Sequence, residues 1–255
     1  MSTQVQGAQS FSRSIAVLQS IADAGTPMTR AELLKQCDLT RPTLYRIIAS
    51  LEAEGMIEVA GGNRYTLGGR LVALARTALA QNDVRRLAEP HLARLRDATG
   101  ETVHLAIRSG DELVYIDKIE SREVVRMAST VGTRVPFHST GVGKAFLAAM
   151  PEIEANALID RIDLPMITPH TTTDRAALKA IVRKAREDGF VRDDQENEVG
   201  IFCFGAPIQE GRDRPVASVS VSVPKFRMVE ESRYSEPLLE AVSAISGRLG
   251  YDRAS

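Results

Sequence analysis

The sequence predicts an α+β chain in two parts: a small unit of three short helices and a β-hairpin, then a larger unit built on a mostly antiparallel sheet with helices on one or both faces. Over the first seventy residues the apolar spacing is helical three times and then switches to a period of two. From Asp83 onward helical and strand-like patterns alternate, punctuated by glycine-rich turns. At 255 residues the chain is long for one domain, so it is expected to divide into a unit over 10–70, a helical linker over 71–82 and a unit over 83–255.

The first helix is expected from about Ser12 to Ala24, with Ile15, Leu18 and Ala22 on one stripe and Ile21 beside it; Gly25-Thr-Pro27 stops it. Thr29-Arg-Ala-Glu32 has the spacing of a capping box and opens a second helix ending near Cys37-Asp38. A third starts near Pro42, tolerated in a first turn because its missing N–H has no intrahelical partner there, and ends at Gly55. Leu44, Ile47, Ile48 and Leu51 give it one apolar face. Strands follow at Met56–Val59 and Arg64–Leu67 around the Ala60-Gly-Gly-Asn63 turn. Helix, turn, helix, then hairpin is the order of a winged helix-turn-helix.

In the larger part the pattern predicts a helix over Val84–Ala98 and strands over Thr102–Arg108, Glu112–Ile119 and near Val124–Ala128. Helices follow over Val142–Ala149, after Pro151, and over Asp174–Asp188. Strands near Phe190–Arg192, Ile201–Ile208 and Val216–Val223 precede a closing helix over Val229–Leu249, the last two strands joined by a loop over 209–214. Ser218, Ser220 and Ser222 alternate with Val219, Val221 and Val223, so three hydroxyls share one strand face, lining a site or facing solvent.

Hydrophobic residues make up 44% and charged residues 25%, the balance of an ordinary soluble globular protein. Net charge is −1, and residues 1–70 carry seven basic against six acidic residues, so any DNA binding must rest on where charges sit. Cys37 and Cys203 stand far apart without a CxxC, which excludes a zinc finger or disulfide framework and suits a reduced cytoplasmic protein. The four histidines show no paired metal spacing, and neither metal nor cofactor is expected. No apolar run approaches the ~20 residues of a membrane span, and the N-terminus lacks a secretion pattern, so no membrane association is expected.

In a helix-turn-helix the second helix of the pair enters the major groove. Here it offers Thr40, Arg41, Thr43, Tyr45 and Arg46 on the face opposite its apolar seam, with Arg13 on the first helix and Asn63 and Arg64 in the wing. Guanidinium groups can pair with guanine or with phosphate. Ser139-Thr-Gly-Val-Gly-Lys144 is no phosphate loop: His138 occupies the first glycine position and Ala145 follows the lysine. It reads instead as a glycine-rich entry to a helix, where backbone N–H groups and the helix dipole favour a small carboxylate, or as a turn that needs glycine for packing. There is no GxSxG and no paired nucleophile and base, so no enzyme is expected.

The first part of the chain carries Ser12-Arg-Ser-Ile-Ala-Val-Leu18, Thr43-Leu-Tyr-Arg46 with Leu51-Glu52 and Gly55, and Arg64-Tyr-Thr-Leu-Gly68. The second carries Gly132-Thr-Arg-Val-Pro-Phe-His138, Gly141-Val-Gly-Lys-Ala145, Gly189-Phe-Val-Arg-Asp-Asp194, Gly200-Ile-Phe-Cys203 and Ala206-Pro-Ile208. In this order and spacing the motifs make the chain from Ser10 onward similar to the IclR family of bacterial transcription regulators. The resemblance implies a second domain of GAF/profilin-like α/β fold that binds an effector, in a homodimer or homotetramer that sits on a palindromic operator in double-stranded DNA. It also implies a pocket lined by Met127, Val135, Gly141, Val142, Asp193, Ile201, Cys203, Ser220 and Ser222. Two positions depart from the family pattern: Pro42 replaces a small hydroxyl residue, and Phe204-Gly205 stands where alanine is common. Together these features point to a regulator whose operator binding is modulated by a small molecule, expected to be a carboxylic acid of carbon catabolism. The alternative is a ligand-binding or enzymatic module whose winged helix mediates protein contacts.

Overall fold

The computed structural model describes residues 9–80, 83–123, 127–210 and 214–251. They form two compact units, divided between residues 81 and 82.

In the first unit, α1 (Gln9–Ala24) is followed by β1 (Met28–Thr29), α2 (Arg30–Gln36) and α3 (Arg41–Ala53). The hairpin β2 (Ile57–Ala60) and β3 (Arg64–Leu67) then leads into α4 (Gly69–Ala80). The capping box forms as its spacing predicts: the Thr29 hydroxyl accepts from the Glu32 N–H, and Glu32 accepts from the Thr29 N–H at 2.6 Å. The three strands are antiparallel in the order β1-β3-β2. Leu44, Ile47, Ile48 and Leu51 of α3 pack with Val17, Leu18, Ile21, Leu33, Ile57 and Tyr65 into one core. The first helix differs from expectation. Val17, Leu18 and Ile21 are buried, whereas Ile15 and Ala22 are exposed together with Phe11. These three lie at helical spacing on a second apolar face that the unit's own core does not cover.

The second unit begins with α5 (Asp83–Thr99), β4 (Thr102–Ser109), β5 (Glu112–Ile119) and β6 (Arg134–Val135). It continues with α6 (Gly141–Ala149), α7 (Glu152–Arg161), α8 (Arg175–Asp188), β7 (Val191–Asp194), β8 (Ile201–Glu210), β9 (Arg214–Pro224) and α9 (Ser232–Arg248). All pairs in the six-stranded sheet are antiparallel, in the order β6-β5-β4-β9-β8-β7. The two-residue β6 carries no periodic signal and escapes sequence reading. The closing helix starts at Ser232, three residues later than expected, after a 3₁₀ turn over Lys225–Arg227. The first part of the strand expected near Val124–Ala128 lies outside the described residues, as does the tip of the loop over 209–214; Met127–Thr130 are irregular.

Alternation assigns the faces of the sheet. Ala106, Tyr115, Val135 and Val191 share a core with Val142, Phe146 and Leu147 of α6 and with residues of α7 and α8. On the other face α5 and α9 pack on the sheet and on each other, and Phe204 stacks on Tyr234 at 5.4 Å between ring centroids. On β9 the valines at 219, 221 and 223 are buried, and so are all three serines. The Ser218 hydroxyl donates to the Val142 carbonyl at 2.8 Å, so the serine face looks toward α6 and not into solvent.

Candidate functional site

Two sets of residues stand out, one in each unit. In the first, α3 buries its apolar seam and turns Arg41, Tyr45 and Arg46 outward. Neither arginine side chain has a partner among the described residues. At the start of α3 the Thr40 hydroxyl bonds that of Thr43 at 2.9 Å and caps no backbone group. Pro42 has no N–H, so the N–H groups of Arg41 and Thr43 remain for an acceptor outside the helix. Arg13 is exposed on α1. Asn63 adopts φ +57° at the tip of the wing, a conformation asparagine tolerates better than most residues. Arg64 is less available: it donates to the Pro27 carbonyl at 2.9 Å and lies 3.5 Å from Glu32.

In the second unit, strand register gathers residues from distant parts of the chain. Asp193, Cys203, Ser222 and Thr102 pair in turn across β7, β8, β9 and β4; Gly205, Ser220, His104 and Lys118 form the neighbouring rung. The Ser222 hydroxyl lies 3.4 Å from both the Cys203 thiol and His104 Nδ1. His104 Nε2 meets Ser129 at 2.6 Å, and Lys118 donates to the Met127 and Ser129 carbonyls, each at 2.7 Å. Those two bonds hold the segment carrying Met127 beside the sheet.

The start of α6 comes down on this surface. A Cβ built on Gly141 would lie 3.2 Å from Cys203 Cβ, and one on Gly143 would meet the Phe137 carbonyl at 2.5 Å. Only glycine permits so close an approach. The Thr140 hydroxyl caps the Gly143 N–H at 3.0 Å. The N–H groups of Gly141 and Val142, at the buried first turn, meet no acceptor among the described residues. Behind them Lys144, fully buried, pairs with Glu196.

Of the pocket residues the resemblance implies, the structure thus brings together Gly141, Val142, Asp193, Cys203, Ser220 and Ser222. Val135 is buried in the core beside Tyr115, and Ile201 is half-buried at the first position of β8. His104, Tyr115, Lys118 and Ser129 are additions that sequence reading misses. The available signal is the alternation of Thr102, His104 and Ala106 against Val103, Leu105 and Ile107. A cleft of about 810 Å³ opens elsewhere, lined by residues such as Met150, Arg186, Gln209 and Ser246, and none of the site residues borders it.

Burial sets the charges. It pushes His104 down to about 3, aided by Lys118, so the imidazole is neutral. It raises Asp193 to about 7 against the pull of Lys144 and of the Glu196 N–H, which donates to Asp193 at 2.8 Å. Burial also raises the Cys203 thiol, which is therefore protonated and no reactive thiolate. His138 Nε2 meets the Pro165 carbonyl at 3.0 Å.

A profile of the bacterial transcriptional regulator IclR C-terminal domain matches residues 76–247. This chain belongs to the IclR family. A second profile, the HVO_A0261 N-terminal domain, matches residues 4–88 of this IclR-family regulator. The HTH-type transcriptional regulator XynR of Escherichia coli is 33% identical, covering 95% of this chain and 98% of XynR. The E. coli repressor AllR is 32% identical over 91% of this chain and 86% of its own length. Thermotoga maritima IclR is 33% identical with a TM-score of 0.76, covering 94% of this chain and 98% of that one. An IclR homologue from Microbacterium hydrocarbonoxydans, solved with 4-hydroxybenzoate, has a TM-score of 0.80 at 26% identity and covers 97% and 100%. The antiparallel sheet with helices on both faces is the GAF-like α/β fold of the IclR C-terminal domain. No helix among the described residues is long and apolar enough to cross a membrane.

Proposed function

We propose that this regulator reads double-stranded DNA with the exposed face of α3 and responds to a small organic acid held where β7, β8 and β9 meet the start of α6. One observation carries the DNA half: α3 satisfies its packing on one face and leaves Arg41 and Arg46 without partners on the other. An acid fits the second site because the unpaired Gly141 and Val142 N–H groups sit at a positive helix end. Ser220 and Ser222 add donors, and Asp193 can accept from a ligand hydroxyl. The Microbacterium homologue's carboxylate ligand supports the same class.

The exposed apolar residues Phe11 and Ile15 on α1, and Val72 and Leu74 on α4, are the surfaces on which a second copy would pack. A homodimer, or a tetramer of two dimers, would place paired α3 helices on a palindromic operator with half-sites about 34 Å apart or a multiple of that. The acid changes operator affinity to the extent that it prefers one arrangement of the dimer over another. In this reading the larger unit binds its ligand without turning it over, needs no cofactor, and works in the cytoplasm beside its operator.

The test is binding to a duplex carrying the protein's own upstream DNA. Arg46→Ala should weaken it by about 1–3 kcal/mol if Arg46 reads a base. A folded protein that ignores this duplex would sink the DNA half and favour a winged helix used for protein contacts. A panel of small organic acids should then shift the affinity; none doing so would sink the ligand half.

A further inference from the structure

The first residue of α2 carries a cation that no spacing rule singles out. The Arg30 guanidinium carbon lies 5.0 Å from the ring centroid of Tyr45 on α3 and 5.5 Å from that of Tyr65 on β3. Its Nε donates to the Tyr65 hydroxyl at 2.7 Å. Tyr65 is a core residue, 1% exposed, so this anchor is rigid; Tyr45 is 45% exposed and belongs to the outward face of α3.

A guanidinium has five N–H donors in a fixed plane. Tyr65 takes one. The four on Nη1 and Nη2 meet no acceptor among the described residues, and no carboxylate pairs with Arg30. Two other arginines of this unit, by contrast, are committed: Arg64 to Pro27 and Glu32, Arg70 to Glu54. Arg30 is therefore a charged group held in one place, with its hydrogen-bonding edge open, beside the helix proposed to enter the groove. Holding a guanidinium between rings lowers the entropy it loses on binding an anion, which is what a phosphate contact requires.

We propose that Arg30 contacts a DNA backbone phosphate and also acts as a positioning residue for Tyr45, whose half-exposed ring it holds against the unit. This rests on the DNA half of the proposed function. It adds a contact from the first helix of the pair, outside both the recognition helix and the wing.

A phosphate contact is blind to sequence and sensitive to salt, whereas a merely structural role is neither. The experiment measures affinity of the full chain, by fluorescence anisotropy, for its own upstream duplex and for an unrelated duplex of the same length, over a salt series. Arg30→Ala should flatten the slope of log affinity against log salt by about 0.9 per bound subunit on both duplexes. Across a four-fold rise in salt, the variant would then lose roughly three- to four-fold less affinity per subunit than the parent. Arg30→Lys, which keeps the charge, should restore the slope. Tyr45→Leu, which removes one ring, should weaken binding while leaving more of the slope than Arg30→Ala. If Arg30→Ala leaves the slope at the parent value, or if Arg30→Lys fails to restore it, Arg30 is no phosphate contact. A parent that binds neither duplex overturns the DNA reading itself, and is told apart by needing no variant.

Discussion

Replacing Gly205 by alanine tests whether α6 and β8 touch as closely as the site requires. The added Cβ would stand 3.0 Å from Gly141 Cα, and closer still to the Gly141 carbonyl carbon and oxygen. Carbon atoms pack at roughly 3.5–4.0 Å, so the gap must open by on the order of 1 Å. The obstructing atoms are backbone, and α6 is buried from Gly141 to Ala148, so no flexible side chain can yield. Overpacking of this kind costs about 1–3 kcal/mol, and the upper part of that range is expected here. For a unit of this size each kcal/mol lowers the melting temperature by about 2–4 °C, so Gly205→Ala should melt roughly 4–12 °C below the parent. Calorimetry of the full chain, with the winged-helix unit as internal reference, gives the measurement. The same displacement moves the Gly141 and Val142 N–H groups, so the response to an acid effector should fall as well. A variant that melts within about 1 °C of the parent and responds normally would refute the close docking of α6 on β8.

The other predictions concern charge and capping. Asp193 is held near 7 in the fold, above its ordinary value of 3.8, so the native state keeps a proton that the unfolded chain releases between about pH 4 and 7. Its contribution is present at low pH and is lost as pH rises through that window, so Asp193→Asn should gain stability relative to the parent from pH 4 to 7; a constant difference in denaturant midpoints across the range would refute this. Arg227 makes a bidentate pair with the buried carboxylate of Glu101, at 2.8 and 2.6 Å. Arg227→Ala should destabilise the larger unit by about 2–4 kcal/mol in urea unfolding, because it strands a buried charge, and adding Glu101→Gln should recover part of the loss. Thr29→Ala removes the α2 cap and should cost the winged-helix unit about 1 kcal/mol; an unchanged melt would mean the cap contributes nothing.

Several features are legible because their cause is local. The Thr29–Glu32 spacing, the 3.6-residue seam of α3, the switch to period two at the wing and the alternation of serine and valine on β9 each involve residues a few positions apart, and all reappear in the structure. The family resemblance named most of the residues that now share one surface. It could not supply the neighbours that complete the site. His104 is joined to Ser222 across 118 residues of chain and to Ser129 across 25. Ile15 reads as core from spacing alone, yet the core took Val17, Leu18 and Ile21, because the buried face is chosen by what packs against α1.

By itself, then, the sequence determined the main elements and their order, the apolar seam of α3 with its arginines on the opposite face, and the family to which the chain belongs. Only the tertiary structure decided that Arg64 is tied down while Arg30 is open, that the serines face α6, and that Gly141 rests against Gly205. The reason is that periodicity and capping are properties of short stretches of backbone. Partnership between distant side chains depends on sheet register and helix docking, which arise only when the whole chain closes on its core.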